Sequence, residues 1–180
     1  KPALGVGPGN VPCFIEKTAD VAQAVTDLIL SKTFDNGMIC ASEQAVILEE
    51  PIYERARRLM TEFGCAFLDA EQTAAVSRLV IKSGSCAVNG AIVGQSAEQI
   101  ASLAGITVPK GTRMLVAELE GVGPEWPLSA EKLSPVLACY RVPDVAAGTA
   151  VAERLVAFGG MGHSSVIHSS DQAVIAAYSA

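Results

Sequence analysis

The run AVILEEPIYERARRLMTEFGCAFLDAEQTAAVSRLV, residues 45–80, contains two passages of the same form. AVIL at 45–48 is a short apolar run. Pro51, whose fixed φ suits a first helical turn, then opens a helix with Ile52, Ala56, Leu59, Met60 and Phe63 on one face, ended by Gly64. CAFL at 65–68 repeats the apolar run, Asp69 offers a cap oxygen, and Ala75, Val76, Leu79 and Val80 recur at helical spacing up to a stop near Gly84. Strand then helix, twice in succession, predicts parallel strands joined by crossover helices.

The pattern extends in both directions. Upstream, Thr18 and Asp20 offer cap oxygens to a helix whose buried face is Val21, Ala24, Val25, Leu28 and Ile29. Downstream, Ser96 with Gln99 has the spacing of a capping box ahead of Ile100, Leu103 and Ala104, and Gly105 stops that helix. A strand is expected at 114–119. GVGPEWPLS at 121–129 has too many breakers for an element and reads as a surface loop. PVLACYR at 135–141, a helix from Asp144 through Phe158 stopped by Gly159-Gly160, and SSVIH at 164–168 give one more strand, helix, strand passage. The fold class is therefore α/β, a largely parallel sheet with helices on both faces. In open sheets of this kind ligands sit outside the carboxyl ends of the strands, so the loops leaving strands are where chemistry is expected.

At 180 residues, half of them hydrophobic and 18% charged, the chain has the material for one domain with a substantial core. Its 13 basic and 19 acidic residues leave a net charge of -6, and no basic run exists to neutralise a phosphate backbone, which argues against nucleic acid. No apolar stretch approaches the roughly 20 residues that span a bilayer, and KPALGVGPGN at 1–10 lacks the regions of a signal peptide. Cys13, Cys40, Cys65, Cys86 and Cys139 are widely spaced, with no CxxC pair, and the histidines are His163 and His168. Neither a disulfide framework nor a metal site is indicated, and a cytoplasmic, metal-free chemistry is expected. The start without Met and the helical end at 171–180 read as those of a chain excised from a longer protein.

Four stretches can carry chemistry. In FDNGMICASEQ at 34–44, Asn36-Gly37 signals a turn and places Cys40 beside it, where loop N–H groups can lower a thiol's pKa; the alternative is a buried structural cysteine. GVGPGN at 5–10 reads as a turn or a phosphate cradle. Glu131 in AEKLSP, taken alone, reads as a solvated surface charge. His163 follows GGMG and precedes a strand, a place for an acid/base or simply for a satisfied polar side chain, while His168 reads as structural.

SKTFDNGMICASEQ at 31–44 resembles the nucleophile loop of the aldehyde dehydrogenase superfamily, in particular its CoA-acylating branch and the aldehyde dehydrogenase half of bifunctional aldehyde-alcohol dehydrogenases. The resemblance extends through KPALGVGPGN, TAD, EKLSP and GGMGHSS, over nearly the whole chain. It implies the catalytic domain of the aldehyde dehydrogenase fold, with Cys40 attacking a short aldehyde, the thiohemiacetal giving hydride to NAD, and CoA taking the acyl group. It implies the reverse reduction of acyl-CoA as well. By the same resemblance Glu131 meets the nicotinamide ribose, Leu133 packs against the ring in place of a more usual aromatic, Gly5 and Gly7 let the backbone approach the nicotinamide, and His163 borders the active site as acid/base or CoA-side donor. The stretch where hydrolytic relatives carry a water-activating Glu has no acid here, which favours transfer to CoA over hydrolysis.

The resemblance further implies that residues 1–180 are the nucleophile-bearing domain alone, with the NAD-binding domain before it and an oligomerisation arm after it in a homo-oligomeric parent. The excised segment is then expected to fold with little turnover. A hydrolytic aldehyde dehydrogenase and a non-catalytic module keeping the fold are the alternatives; a cysteine hydrolase would need an Asp or Asn partner for His163 that the sequence does not identify.

Overall fold

The computed structural model describes residues 7–82, 84 and 86–180. Its centre is a six-stranded sheet in the order β3-β4-β5-β2-β1-β6, in which every neighbouring pair is parallel. The strands are β1 (Val11–Ile15), β2 (Glu43–Glu49), β3 (Cys65–Phe67), β4 (Met114–Glu118), β5 (Val136–Val142) and β6 (Val166–His168). The helices are α1 (Val21–Thr33), α2 (Glu50–Glu62), α3 (Ala70–Val80), α4 (Ala97–Leu103), α5 (Val145–Gly159) and α6 (Gln172–Tyr178).

Local chemistry sets the helix starts. The Asp20 carboxylate accepts from the backbone N–H groups of Ala22 and Gln23, and Asp144 accepts from Ala147. The full reciprocal capping box forms at Asp69 and Gln72, while Ser96 accepts from the Gln99 N–H. Pro51 lies in the first turn of α2, where a missing N–H does no harm.

Alternation along the strands divides the core into two layers. Phe14, Ala45, Ile47, Leu115, Ala117, Val136, Ala138 and Tyr140 face α3, α4 and α5 through Val76, Val80, Ile100, Ala152 and Leu155. Cys13, Ile15, Val46, Leu48, Met114, Val116, Leu137 and Cys139 face α1 and α2 through Val25, Leu28, Ile29, Tyr53, Ala56 and Met60. Helices on both faces are thus observed, as the periodicity predicts.

Two features differ from the sequence reading. VPCFI at 11–15, not marked as a strand, is interior to the sheet between β2 and β6 although it contains Pro12. A proline removes a ladder donor and is tolerated within sheets at bulges, and the pairing of β1 with β2 shifts register between Val11 and Pro12. The stretch 119–135 returns from β4 to β5 without an α-helix, yet it is not a surface loop. Gly121, Gly123, Leu128 and Ser129 are buried, Gly123 N–H donates to the Ser129 hydroxyl at 3.0 Å, and the Tyr140 hydroxyl donates to the Gly121 carbonyl at 3.1 Å. An ordered crossover of this length without a helix is uncommon and usually functional. Here it carries Glu131 from one end of the sheet to the other.

Candidate active site

Strands β5, β2, β1 and β6 are consecutive in the sheet, and the loops that lead into them carry Glu131, Cys40, Gly9 and His163 respectively. The candidate residues therefore gather at the amino ends of the strands, which corrects the expectation that chemistry would lie at the carboxyl ends. Four neighbouring parallel strands starting at one edge of the sheet bring four loops side by side, whatever their separation in sequence. The cleft at the carboxyl ends of β3 and β4, about 500 Å³ and lined by Leu68, Trp126 and Leu128 among others, contains none of these residues.

Gly9 is the contact point. A Cβ built on it would lie 2.3 Å from the Cys40 carbonyl oxygen and 3.0 Å from Nε2 of His163. Its N–H donates to Oε1 of Glu131 at 2.9 Å. One buried glycine thus touches the Cys40 turn, the imidazole and the carboxylate, and a side chain at that position would separate them. Gly7, by contrast, is exposed with nothing within 4 Å of its Cβ position. Gly5 lies outside the described residues.

The Cys40 turn is held by unusual backbone. Asp35, Asn36 and Gly37 have φ of 47, 50 and 73° in succession, a left-handed run that Asn tolerates and Gly adopts freely. The Asn36 amide donates to the Gly94 carbonyl at 2.9 Å, and the Met38 sulfur lies 2.8 Å from where a Cβ of Gly94 would be. The Ser42 N–H donates to the Ile39 carbonyl at 3.0 Å, closing the turn around Cys40. Cys40 is exposed, whereas Cys13, Cys65 and Cys139 are buried and Cys86 is intermediate. Burial pushes the Cys65 thiol up to about 12 and raises those of Cys13 and Cys139 as well, so these three are poor nucleophiles near neutral pH.

Glu131 is half-buried at the edge of a cavity of about 390 Å³ that Pro8, Cys86, Val88 and Phe158 also line. With one lone pair engaged by Gly9, its carboxylate keeps acceptor capacity for further donors. Leu133 is half-buried with φ of 44°, a left-handed conformation that bends the chain back toward β5. Next to Cys40 in the chain, Ile39, Ala41 and Ser42 border, with Leu30, Ser31 and Phe34, a recess of about 270 Å³. His163 is exposed with its backbone N–H bonded to the Gly160 carbonyl, and His168 is paired within β6.

Behind the site lie residues that the motif reading passed over. Lys32 and Lys132 are both fully buried, and neither forms an ion pair within 4.0 Å among the described residues. Desolvation holds Lys32 down at about 7 against the attraction of Glu43 and Glu131, and drives Lys132 well below the usual lysine range, helped by repulsion from Lys32. Lys132 donates to the carbonyls of Leu128 and Ala130 at 2.7 and 2.6 Å. The sequence held one signal: Lys32 falls in phase with Val25, Leu28 and Ile29 on the buried face of α1. Among the described residues no cluster of His, Cys, Asp and Glu could hold a metal ion, and no helix is long and apolar enough to cross a membrane.

No family model matches the chain. Over 168 residues it is 46% identical to the bifunctional aldehyde-alcohol dehydrogenase AdhE of Escherichia coli, a match that covers 93% of this chain and 19% of that protein. It is likewise 46% identical over 171 residues to the aldehyde-alcohol dehydrogenase of Clostridium acetobutylicum, covering 95% of this chain and 20% of the relative. The fold superposes on the crystal structure of an acetylating aldehyde dehydrogenase from Geobacillus thermoglucosidasius with a TM-score of 0.93 and 44% identity, over 99% of this chain and 39% of that one. The chain therefore spans only a fraction of the length of each protein it matches.

Proposed function

We propose, on the premise that this chain is a segment of the acylating aldehyde dehydrogenase family, that Cys40 is the acyl-carrying nucleophile of an enzyme converting a short aldehyde to its acyl-CoA. The observation that carries the reading is the meeting of Cys40, His163 and Glu131 around Gly9.

The Cys40 thiolate adds to the aldehyde carbonyl carbon, and the C=O π electrons become an alkoxide. That alkoxide re-forms the carbonyl as hydride leaves, and a thioester on Cys40 results. A nicotinamide dinucleotide, NAD by the family resemblance, supplies the hydride acceptor when bound. Glu131 is the residue of this chain suited to hold its ribose hydroxyls, with Leu133 beside it. The CoA thiol then loses its proton, for which His163 is the nearby base, and attacks the thioester carbonyl. The bond to Cys40 breaks, acyl-CoA departs, and the thiolate is regenerated. Run backward, the same steps reduce acyl-CoA to aldehyde. No Asp or Glu stands in KPALGVGPGN, the stretch where by the family resemblance hydrolytic relatives carry a water-activating Glu, which supports transfer to a thiol over activation of water. The recess beside Ile39 suits a short apolar group such as that of acetaldehyde. The remainder of the dinucleotide site is assigned to a domain of the parent protein outside this chain.

The test is NADH production by the full-length protein from acetaldehyde and NAD, with and without CoA. Steady turnover is expected only when CoA is present, after at most one NADH per Cys40 in its absence. Sustained turnover without CoA would show hydrolysis instead and overturn the proposal.

A further inference from the structure

At the back of the site Gln44, near the start of β2 and fully buried, makes three side-chain hydrogen bonds. Its amide oxygen accepts from Nζ of Lys32 at 3.2 Å and from the backbone N–H of Lys132 at 3.0 Å. Its Nε2 donates to the Ser42 carbonyl at 3.2 Å. Two donors on one side and an acceptor on the other fix the orientation of the amide, because the flipped group would face a mismatch at all three.

We propose that Gln44 is a positioning residue that sets the distance between the Cys40 turn and the Glu131 loop. The contacts form a closed ring. From Cys40 the ring passes through Gly9 to Glu131 at the front, by a close backbone approach and the Gly9 N–H bond. From Glu131 it continues to Lys132, whose Nζ ties the Leu128 and Ala130 carbonyls and whose backbone N–H meets Gln44. Gln44 then holds Ser42, and the Ser42 N–H closes the turn on Ile39, next to Cys40. Gly9 joins the two loops on the solvent side and Gln44 joins them inside the core. A buried amide that accepts two bonds and donates one cannot be removed without cost: Lys32 Nζ, the Lys132 N–H and the Ser42 carbonyl lose a partner together.

The inference rests on reading Cys40 and Glu131 as one site, but its test uses no aldehyde, nucleotide or CoA, so either idea can fail without the other. In the full-length protein, Gln44→Met and Gln44→Glu are compared with wild type by two measurements. One is the rate of Cys40 alkylation by iodoacetamide. The other is amide hydrogen exchange at Gly9, which reports the Glu131 contact, referenced to exchange at Leu137 in β5. Gln44→Met keeps the volume and removes both polar ends; about a 10-fold change is expected in each measurement, with Leu137 exchange unchanged. Gln44→Glu keeps an oxygen for Lys132 N–H and Lys32 but loses the donor to Ser42. It is expected to restore Gly9 protection to within about threefold of wild type while Cys40 alkylation stays altered. Wild-type behaviour of both variants, or changes at Gly9 and Cys40 that merely track Leu137, would overturn the proposal. Should Gln44→Met not fold, Gln44→Glu decides: altered Cys40 with retained Gly9 protection supports the clasp, and any other pairing refutes it.

Discussion

At the scale of single residues, position and contact separate two glycines of one short run. Gly9 and Gly7 look alike in GVGPGN, and only the fold distinguishes them, because what Gly9 touches comes from residues far along the chain; its bond to Glu131 spans 122 positions. Gly9→Ala places a methyl carbon 2.3 Å from the Cys40 carbonyl, so either Gly9 or the Cys40 turn must move by about an ångström. Displacement of a reacting group on that scale costs roughly 100-fold in rate, and this loss in kcat/KM for CoA-dependent turnover is expected for Gly9→Ala. Gly7→Ala, with open space around the new methyl, should keep the rate of Cys40 alkylation by iodoacetamide within about twofold of wild type, whereas Gly9→Ala changes it by more. Equal behaviour of the two variants would remove Gly9 from the centre of the site. Cys40, Glu131 and His163 could be singled out because each stands in a local motif, but that their loops meet around Gly9 could not be read from those motifs. Gln44 and Lys132 stand in the same quoted motifs, yet the motifs say nothing of the hydrogen bond between them, because it joins two loops.

At the scale of elements, periodicity located the helices well, since each buries one apolar stripe that repeats along its own sequence. It failed at β1. Five fully buried residues have no alternation to read, and Pro12 argues against a strand unless the bulge at Val11 is known. The closeness of α5 to β1 was also hidden. Gly148 lies on the buried face of α5, and a Cβ there would come 2.6 Å from Cε2 and Cζ of Phe14, a ring with no exposure that also meets Tyr178 at a centroid distance of 5.9 Å. In an open helix, Gly→Ala stabilises by about 1 kcal/mol. Here overpacking, typically about 1–3 kcal/mol, opposes that gain, and a net loss is expected for Gly148→Ala. A lower urea midpoint with unchanged m-value would show it. A raised midpoint would mean that α5 stands off the sheet further than the geometry requires.

At the scale of the whole molecule, one strand order explains why the site lies at the amino ends and why two lysines are buried behind it. The order β5-β2-β1-β6 sets the loop holding Lys132 beside the end of α1 holding Lys32, with the start of β2 between them. That burial has a measurable consequence. Lys32 titrates at about 7 in the fold against 10.5 for the free side chain, because the fold desolvates its ammonium. Well below pH 7 both folded and unfolded chains carry this proton. Between about 7 and 10 the unfolded chain keeps it and the folded chain does not, so the unfolded state binds more protons and stability rises with pH. The limiting slope is about 1.4 kcal/mol per pH unit for each such lysine, and Lys132, held well below its usual range, acts in the same direction. Above about pH 9 the buried thiols of Cys13, Cys65 and Cys139 reverse the trend, since they ionise in the unfolded chain and stay protonated in the folded one. Urea unfolding at pH 7.5 and 8.5 therefore falls in the window where the lysines dominate these buried groups. Lys32→Met removes one titrating group and keeps an apolar chain of similar length on the buried face of α1. Its gain in stability across that interval should be smaller than that of wild type by about 1 kcal/mol. Parallel pH profiles for the two proteins would mean that Lys32 keeps its proton in the fold and is solvated or paired there.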